Sequence, residues 1–244
     1  MAGIPAETGY AFVGLENLHN DIYPAISPKD NPSLHQPGKV ILITGAGRGI
    51  GRAIALQYAH ADVASIILCA RTTSQLDEVE SAIKAIRQGI RIHKHSVDVA
   101  SESAVASLAE QIAREEDRLD ILINNAGYSA RWIPLHSSEP SDWWRSFEVN
   151  LKGPYLLTQA FLPLLLKTAE KTGHVDVINM ASIGAHQVNA LTSNYAISKL
   201  AVCRLTENIN VGYADKGVNA INVHPGGVET ELANQEIDIL KPCE

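Results

Sequence analysis

Tyr195 and Lys199 stand four residues apart in the stretch SNYAISKLAV. On a helix, residues at i and i+4 share a face, so a phenol and an ammonium would point the same way, one turn apart. A free tyrosine titrates near 10 and is a poor proton donor or acceptor at neutral pH. An ammonium about 4 Å away contributes roughly 4 kcal/mol at an effective dielectric of about 20. That is enough to lower the phenol by about 2–3 units and make it a usable acid/base group. The same spacing arises on ordinary solvated helices, so the pair gains meaning only from the elements that would position it.

Those elements read as strand alternating with helix. Lys39 opens the β-branched run VILIT, a buried parallel strand. Helix RAIALQYAH, strand SIILCA and a helix from Ser74 to Gln88 follow. RIHKHSVDV reads as a strand, SESAVASLAEQIAREE as a helix capped by Ser101, and LDILINNAG as a strand. A long helix covers Pro140 to Lys171 with a break near Gly153–Pro154. Strand HVDVINMAS, the helix from Asn194 to Tyr213 and strand VNAINVHPG complete the series. Six such alternations predict an α/β fold of the Rossmann type, a doubly wound parallel sheet of six strands. Residues 1–38, with five prolines and little periodicity, read as an extended N-terminal arm ahead of a nucleotide-binding domain over 39–244.

The chain of 244 residues is long enough for one such domain. Its net charge of −7 and lack of basic runs argue against a nucleic-acid partner. Three widely spaced cysteines, Cys69, Cys203 and Cys243, make neither a metal pattern nor a disulfide framework. His93, His95 and His174 show no metal spacing, so no metal is expected. No run of about 18 apolar residues suggests a membrane span. The first twenty residues carry neither a basic start nor an apolar core, so no secretory signal is read and the cytoplasm is the expected location.

The segment TGAGRGIG, Thr44 to Gly51, falls between the first strand and the first helix, with pattern glycines at 45, 49 and 51. A tight turn, close backbone approach to a pyrophosphate and a helix N-terminus aimed at negative charge require such a loop there. Asn124-Asn125-Ala126-Gly127 follow the fourth strand, Asn150 stands in EVNLKG, and Ser182 lies thirteen residues before Tyr195. Pro225, Gly226 and Thr230 form PG-x-x-x-T after the sixth strand.

This set, in this order over residues 39 to about 232, resembles the short-chain dehydrogenase/reductase family. The resemblance implies an oxidoreductase that interconverts a carbonyl and an alcohol by hydride transfer. It implies Tyr195 as the acid/base, Lys199 as the group that lowers its pKa and holds the nicotinamide ribose, and Ser182 as the holder of the substrate oxygen. Asn150 would bind a water linking Lys199 to solvent. Cofactor contacts are implied for Thr44, Gly45, Arg48, Gly49, Ile50, Gly51, Asn125, Ala126, Gly127, Tyr195, Lys199, Pro225, Gly226, Val228 and Thr230, and Asp98 resembles the residue that meets the adenine. Ser198 is read as a plain helix residue pointing elsewhere. His186, in the loop between Ser182 and Tyr195, is read as a substrate contact or a plain loop residue.

An acid at the end of the second strand would select NAD, whereas basic groups would accept the 2′-phosphate of NADP. Ala70 stands where the acid would be, Arg71 follows, and Arg48 lies in the glycine loop. NADP is therefore expected over NAD. Trp132, Trp143 and Trp144 would suit a ring-containing substrate such as a polyketide or steroid-like ketone, though packing is the preferred reading.

Eighteen residues follow Gly226, fewer than the family's usual lid, helix and seventh strand require. The seventh strand is expected to be missing, the pocket open and the sixth strand an edge, which the arm of residues 1–38 would cover. A homodimer through helices near 153–171 and 194–213 is expected, with Ala196, Ala201, Val202, Leu205 and Ile209 as a packed face. The competing readings are a non-redox isomerase, dehydratase or cyclase using Tyr195, and a truncated inactive or binding member of the family.

Overall fold

The computed structural model of the chain describes residues 21–232. Six parallel strands form one sheet: β1 Val40–Thr44, β2 Ser65–Ala70, β3 Arg91–Ser96, β4 Ile121–Asn124, β5 Val175–Met180 and β6 Val218–Val223. Their order is β3-β2-β1-β4-β5-β6. The order reverses between β1 and β4, which is where ligands bind in open α/β sheets, beyond the carboxyl ends of the strands. Every residue of β1 and β2 is buried, the expected outcome for central strands covered on both faces.

Two helical layers close the sheet. Helices α1 Gly49–His60 and α2 Thr73–Ile86 pack on one face through Ala55, Ala59, Leu76, Val79 and Ile83. Helices α3 Glu102–Glu115, α5 Gly153–Thr172 and α6 Ser193–Tyr213 pack on the other, with Leu108, Ile112, Phe161, Leu165 and Ile209 in the core. Helix α4, Pro140–Phe147, leads into α5 through a π turn, Glu148–Lys152.

That π turn corrects the expected break near Gly153–Pro154. Pro154 sits at the start of α5, where its missing N–H costs nothing. The chain widens one turn earlier instead, an insertion that often marks a functional position. The widened turn buries Val149 and Asn150.

Polar side chains tie the carboxyl ends of β4, β5 and β6 together. Asn124 Nδ2 donates to Asn179 Oδ1 at 2.8 Å, Asn179 Nδ2 to Thr206 Oγ1 at 2.8 Å, and Thr206 Oγ1 lies 2.7 Å from Asn222 Oδ1. This ladder, buried except at Asn222, fixes the strand ends from which the site loops depart.

Among the described residues β6 is a sheet edge. Val218 and Ala220 are buried, while Ile221 and Val223 are exposed. The described part of the arm, residues 21–38, does not cover them: Gln36 N–H donates to the Ala61 carbonyl at 2.6 Å, at the end of α1. It holds two short 3₁₀ turns, Pro24–Ile26 and Pro32–Leu34, each opened by a proline. Residues 1–20 and 233–244, on which the remaining expectations about the arm and the lid fall, lie outside the described residues.

Of the five α6 residues expected on an outer face, Val202 and Ile209 belong to the chain's own core. Ile197, Leu200 and Val211 are the apolar residues α6 exposes instead.

Candidate active site

Thr44, at the end of β1, organises the loops that meet at the switch point. It is buried, and its Oγ1 accepts from the Asn125 and Ala126 N–H groups, each at 3.0 Å, and donates to the Ile123 carbonyl at 3.3 Å. Asn125 returns the tie, its Nδ2 donating to the Thr44 carbonyl at 2.9 Å and the Gly45 carbonyl at 3.3 Å. Both residues, expected to meet a cofactor, are therefore first of all braces between β1 and β4. Asn125 also lines the cavity between these loops, whereas Thr44 does not reach its wall.

The glycine loop could not be built otherwise. Gly45 has φ +64°, and a Cβ on it would stand 2.9 Å from Asn125 Nδ2. A Cβ on Gly51 would stand 2.2 Å from the Gly45 carbonyl oxygen. Helix α1 begins at Gly49 with no side-chain cap from Arg48. Its first N–H groups thus lack the partner that Ser101 supplies to α3, where Oγ accepts from Ala104 N–H at 3.3 Å. An uncapped helix start behind a glycine-rich loop fits a pyrophosphate.

A cavity of about 410 Å³ runs from this loop across the sheet's carboxyl edge to α6. Gly45, Arg48, Gly49 and Ile50 line one end with Ala70, Arg71, Thr72 and Gln75. Ala126 and Gly127 form its middle with Asp98, Tyr128 and Arg145. Met180, Tyr195, Lys199 and Pro225 close the far end. Gly51, Gly226 and Val228 do not reach the cavity wall; Gly226 supplies a turn at φ +84°, and Val228 is exposed.

Asp98 Oδ2 accepts from Arg145 Nη2 at 2.7 Å and Oδ1 from the Ala100 N–H at 3.0 Å. Burial works to raise this carboxyl, but the Ala100 N–H and the Arg145 guanidinium outweigh it and hold it below its usual range. Arg145, carried by α4 and also paired with Glu148 at 2.8 Å, was not singled out in the sequence. Neither was Glu231, which pairs with Arg48 across the groove, nor Thr230's approach to Gly49, where a Cβ would meet Thr230 Cγ2 at 3.4 Å. The segment after β6 therefore crosses over the glycine loop.

At the far end Lys199 Nζ donates to the Met180 carbonyl at 2.6 Å and lies 5.6 Å from the centre of the Tyr195 ring. The lysine is 4% exposed, and burial pushes its pKa down from 10.5 to about 8. Ser182 caps the 3₁₀ turn Ile183–Ala185, its Oγ accepting from the Gly184 N–H at 3.1 Å. With that lone pair engaged, its proton remains available to a ligand. A Cβ on Gly184 would stand 3.4 Å from Ser182 Oγ and 3.6 Å from the Tyr195 ring, so the two side chains converge on this glycine. His224, at the end of β6, accepts the Ile183 N–H on Nδ1 at 3.2 Å; burial holds its pKa below the usual value, which suits an acceptor.

Asn150 lies behind this pair rather than in the cavity. Its Oδ1 accepts from the Tyr128 N–H at 2.8 Å, and its Nδ2 donates to the Tyr128 carbonyl at 2.8 Å and to Ser198 Oγ at 2.9 Å. Both amide protons are thus used. Ser198, expected to point elsewhere, is turned inward and fully buried. His186, by contrast, is exposed. Trp143 packs: its ring stacks on Phe147 at 4.8 Å and its Nε1 donates to Ser193 Oγ at 3.0 Å. Trp132 Nε1 donates to Ser129 Oγ at 3.1 Å.

Comparison with known proteins identifies the family. Residues 39–239 match the family model of the short chain dehydrogenases. The chain belongs to that family. Short chain dehydrogenase mpl6 of Monascus purpureus is 43% identical over 235 residues, covering 94% of this chain and 77% of the relative. Among solved structures, an NAD+-bound xylitol dehydrogenase superposes with TM-score 0.70 at 27% identity, covering 78% of this chain and 70% of that one. An alcohol dehydrogenase from the archaeon Thermococcus sibiricus, complexed with 5-hydroxy-NADP, superposes with TM-score 0.74 at 25% identity, covering 82% and 81%. The family assignment makes this chain an oxidoreductase that works with a nicotinamide dinucleotide. Among the described residues no helix is long and apolar enough to cross a membrane, and no cluster of His, Cys, Asp and Glu could hold a metal ion.

Proposed function

We propose that the chain is an NADP-dependent reductase or dehydrogenase acting on a small-molecule carbonyl/alcohol pair, with Tyr195 as its acid/base. The observation that carries this reading is the continuous cavity that joins the uncapped, glycine-walled start of α1 to Tyr195 and Lys199. A nicotinamide dinucleotide, when bound, supplies or accepts the hydride. The chain's own residues do the rest. Ser182 Oγ, its acceptor side held by Gly184, donates to the substrate oxygen. Tyr195 delivers the proton to that oxygen in reduction and removes it in oxidation. The Lys199 ammonium favours the phenolate form and so makes the phenol proton transferable near neutral pH. By family resemblance, Lys199 would also hold the ribose hydroxyls of the bound dinucleotide.

The preference for NADP rests on the end of β2. Ala70 offers no carboxylate to ribose hydroxyls, and Arg48 and Arg71 line the same end of the cavity. Two guanidinium groups suit a phosphate dianion. Titrating the protein with NADPH and NADH, read by quenching of tryptophan fluorescence, tests this. NADPH is expected to bind more tightly, and Arg48→Ala should weaken it on the order of 10-fold while leaving NADH almost unchanged. Glu231→Gln, which frees Arg48 of its pairing, should tighten NADPH by a few-fold, the size expected of an exposed ion pair. Tighter binding of NADH by the unaltered protein overturns the NADP assignment.

A homodimer accompanies this reading. Trp144, Tyr155, Ile197, Leu200 and Val211 are exposed on α4, α5 and α6. Exposed apolar residues on adjacent helices suit burial against a second copy. Sedimentation should give twice the chain mass, and Leu200→Glu should shift it to the monomer; a monomeric unaltered protein refutes the dimer.

A further inference from the structure

We propose that Ser198 is a positioning residue for the catalytic centre: it joins the π turn carrying Asn150 to the helix carrying Tyr195. The inference rests on the oxidoreductase reading above but on different contacts. Ser198 lies in α6, three residues after Tyr195 and directly before Lys199, and is 0% exposed. Its Oγ is 2.8 Å from the Tyr195 carbonyl and 2.9 Å from Asn150 Nδ2.

The direction of these bonds is fixed from one end. Tyr128 presents a backbone N–H and a backbone carbonyl to Asn150, each at 2.8 Å. The N–H needs the amide oxygen and the carbonyl needs an amide proton, so the Asn150 side chain cannot be flipped. Its remaining amide proton must point at Ser198 Oγ, which must accept it. The Ser198 proton is then directed at the Tyr195 carbonyl. One unbroken series of hydrogen bonds thus runs from the loop after β4, through Asn150 and Ser198, to the backbone of the acid/base residue.

Two elements far apart in sequence are held by this series. The loop after β4 walls the middle of the cavity, and α6 carries the reacting phenol at its end. Alanine at 198 would leave an Asn150 amide proton buried without a partner, because Asn150 is 1% exposed. The side chain would turn away to find one, and the π turn would lose its link to α6. Proton transfer requires placement to within fractions of an ångström, so the loss should appear in turnover and not in cofactor binding.

The test compares Ser198→Ala with the unaltered full chain, following NADPH oxidation with 9,10-phenanthrenequinone as the carbonyl probe. The expected result is a kcat lowered on the order of 10-fold, with the Kd for NADPH within about twofold. Asn150→Ala should lower kcat similarly, and the double variant should be no worse than the poorer single one, since both break the same series. Additive losses, or an unchanged kcat in Ser198→Ala alongside a lowered Tm, overturn the proposal. If the alanine variant does not fold, Ser198→Cys, which keeps the size but accepts weakly, gives the same comparison. An unaltered protein that binds NADPH but oxidises none with the quinone counts against the oxidoreductase reading and not against Ser198. Hydrogen exchange of the segment 146–153 then decides: faster exchange in Ser198→Ala supports the tie, and equal exchange overturns it.

Discussion

Tyr195→Phe is expected to lower kcat for carbonyl reduction on the order of 10²–10⁴-fold and to leave the fold intact. The substitution removes one oxygen and keeps the ring. The ring packs against Gly184, where a Cβ would touch two of its carbons at 3.6 Å, and phenylalanine preserves that contact. Ser182 would still hold the substrate oxygen, and Lys199 would still bond the Met180 carbonyl. What disappears is the phenol hydroxyl, the group that would deliver the proton. NADPH binding should change by less than about twofold, because the phenol acts on the reacting oxygen rather than on the phosphates. The measurements are steady-state turnover of a reactive diketone with NADPH, and a binding titration in parallel. A kcat within tenfold of the unaltered protein would mean that the proton comes from elsewhere, and the acid/base assignment would fall with it.

The pair Tyr195/Lys199 is legible in the sequence because it is local. Residues four apart on one helix share a face whatever the rest of the chain does. The glycine loop is legible for a related reason: it lies between a β-branched run and a helical pattern, and only one kind of turn fits there. The sheet order itself is a tertiary fact, yet six strand–helix alternations leave few alternatives, and the observed β3-β2-β1-β4-β5-β6 is one of them.

The residues that the sequence misplaces are those whose roles depend on partners distant along the chain. Ser198 sits in line with Asn194, Val202 and Thr206, at four-residue spacing, and all four are buried. A polar residue in such a stripe must find a hydrogen bond, and that signal is present; its partner, Asn150, forty-eight residues away, is not predictable. The π turn is hidden because a one-residue widening leaves no mark in the apolar period, and Pro154 offers a more obvious break beside it. Arg48 and Glu231 are 183 residues apart, brought together only by the path of the segment after β6. Thr44 and Asn125 belong to motifs that point to the cofactor; their hydrogen bonds add a bracing role that the motifs do not announce.

Lys199→Met carries the second large effect, and it runs in opposite directions for stability and activity. The Lys199 ammonium is buried and bonds a single backbone carbonyl, at 2.6 Å. Desolvation lowers its pKa from 10.5 to about 8, so the folded, cofactor-free protein holds this proton less tightly than the unfolded chain does. Between pH of about 8 and 10.5 the unfolded chain binds more protons, so this group makes stability rise with pH across that window. Below about 8 the full penalty is present, on the order of 3 kcal/mol. Methionine removes that penalty and also the bond to Met180, worth about 1 kcal/mol, for a net gain of roughly 1–2 kcal/mol at neutral pH. The gain should shrink as pH rises from about 8 and vanish above 10.5, where the lysine is neutral in the unfolded chain as well. Denaturant titrations of both proteins at neutral and alkaline pH measure this; a methionine variant with no gain at neutral pH, or a gain independent of pH, would contradict the buried-ammonium account. Activity should fall together with the rise in stability. Lys199 Nζ lies 5.6 Å from the centre of the Tyr195 ring; a charge at about that distance in an effective dielectric of about 20 contributes roughly 3 kcal/mol, so a loss on the order of 10² in kcat is expected. In the unaltered enzyme the same titration should appear in kcat/KM for reduction, which declines as pH rises through about 8 because the ammonium that tunes Tyr195 is being lost.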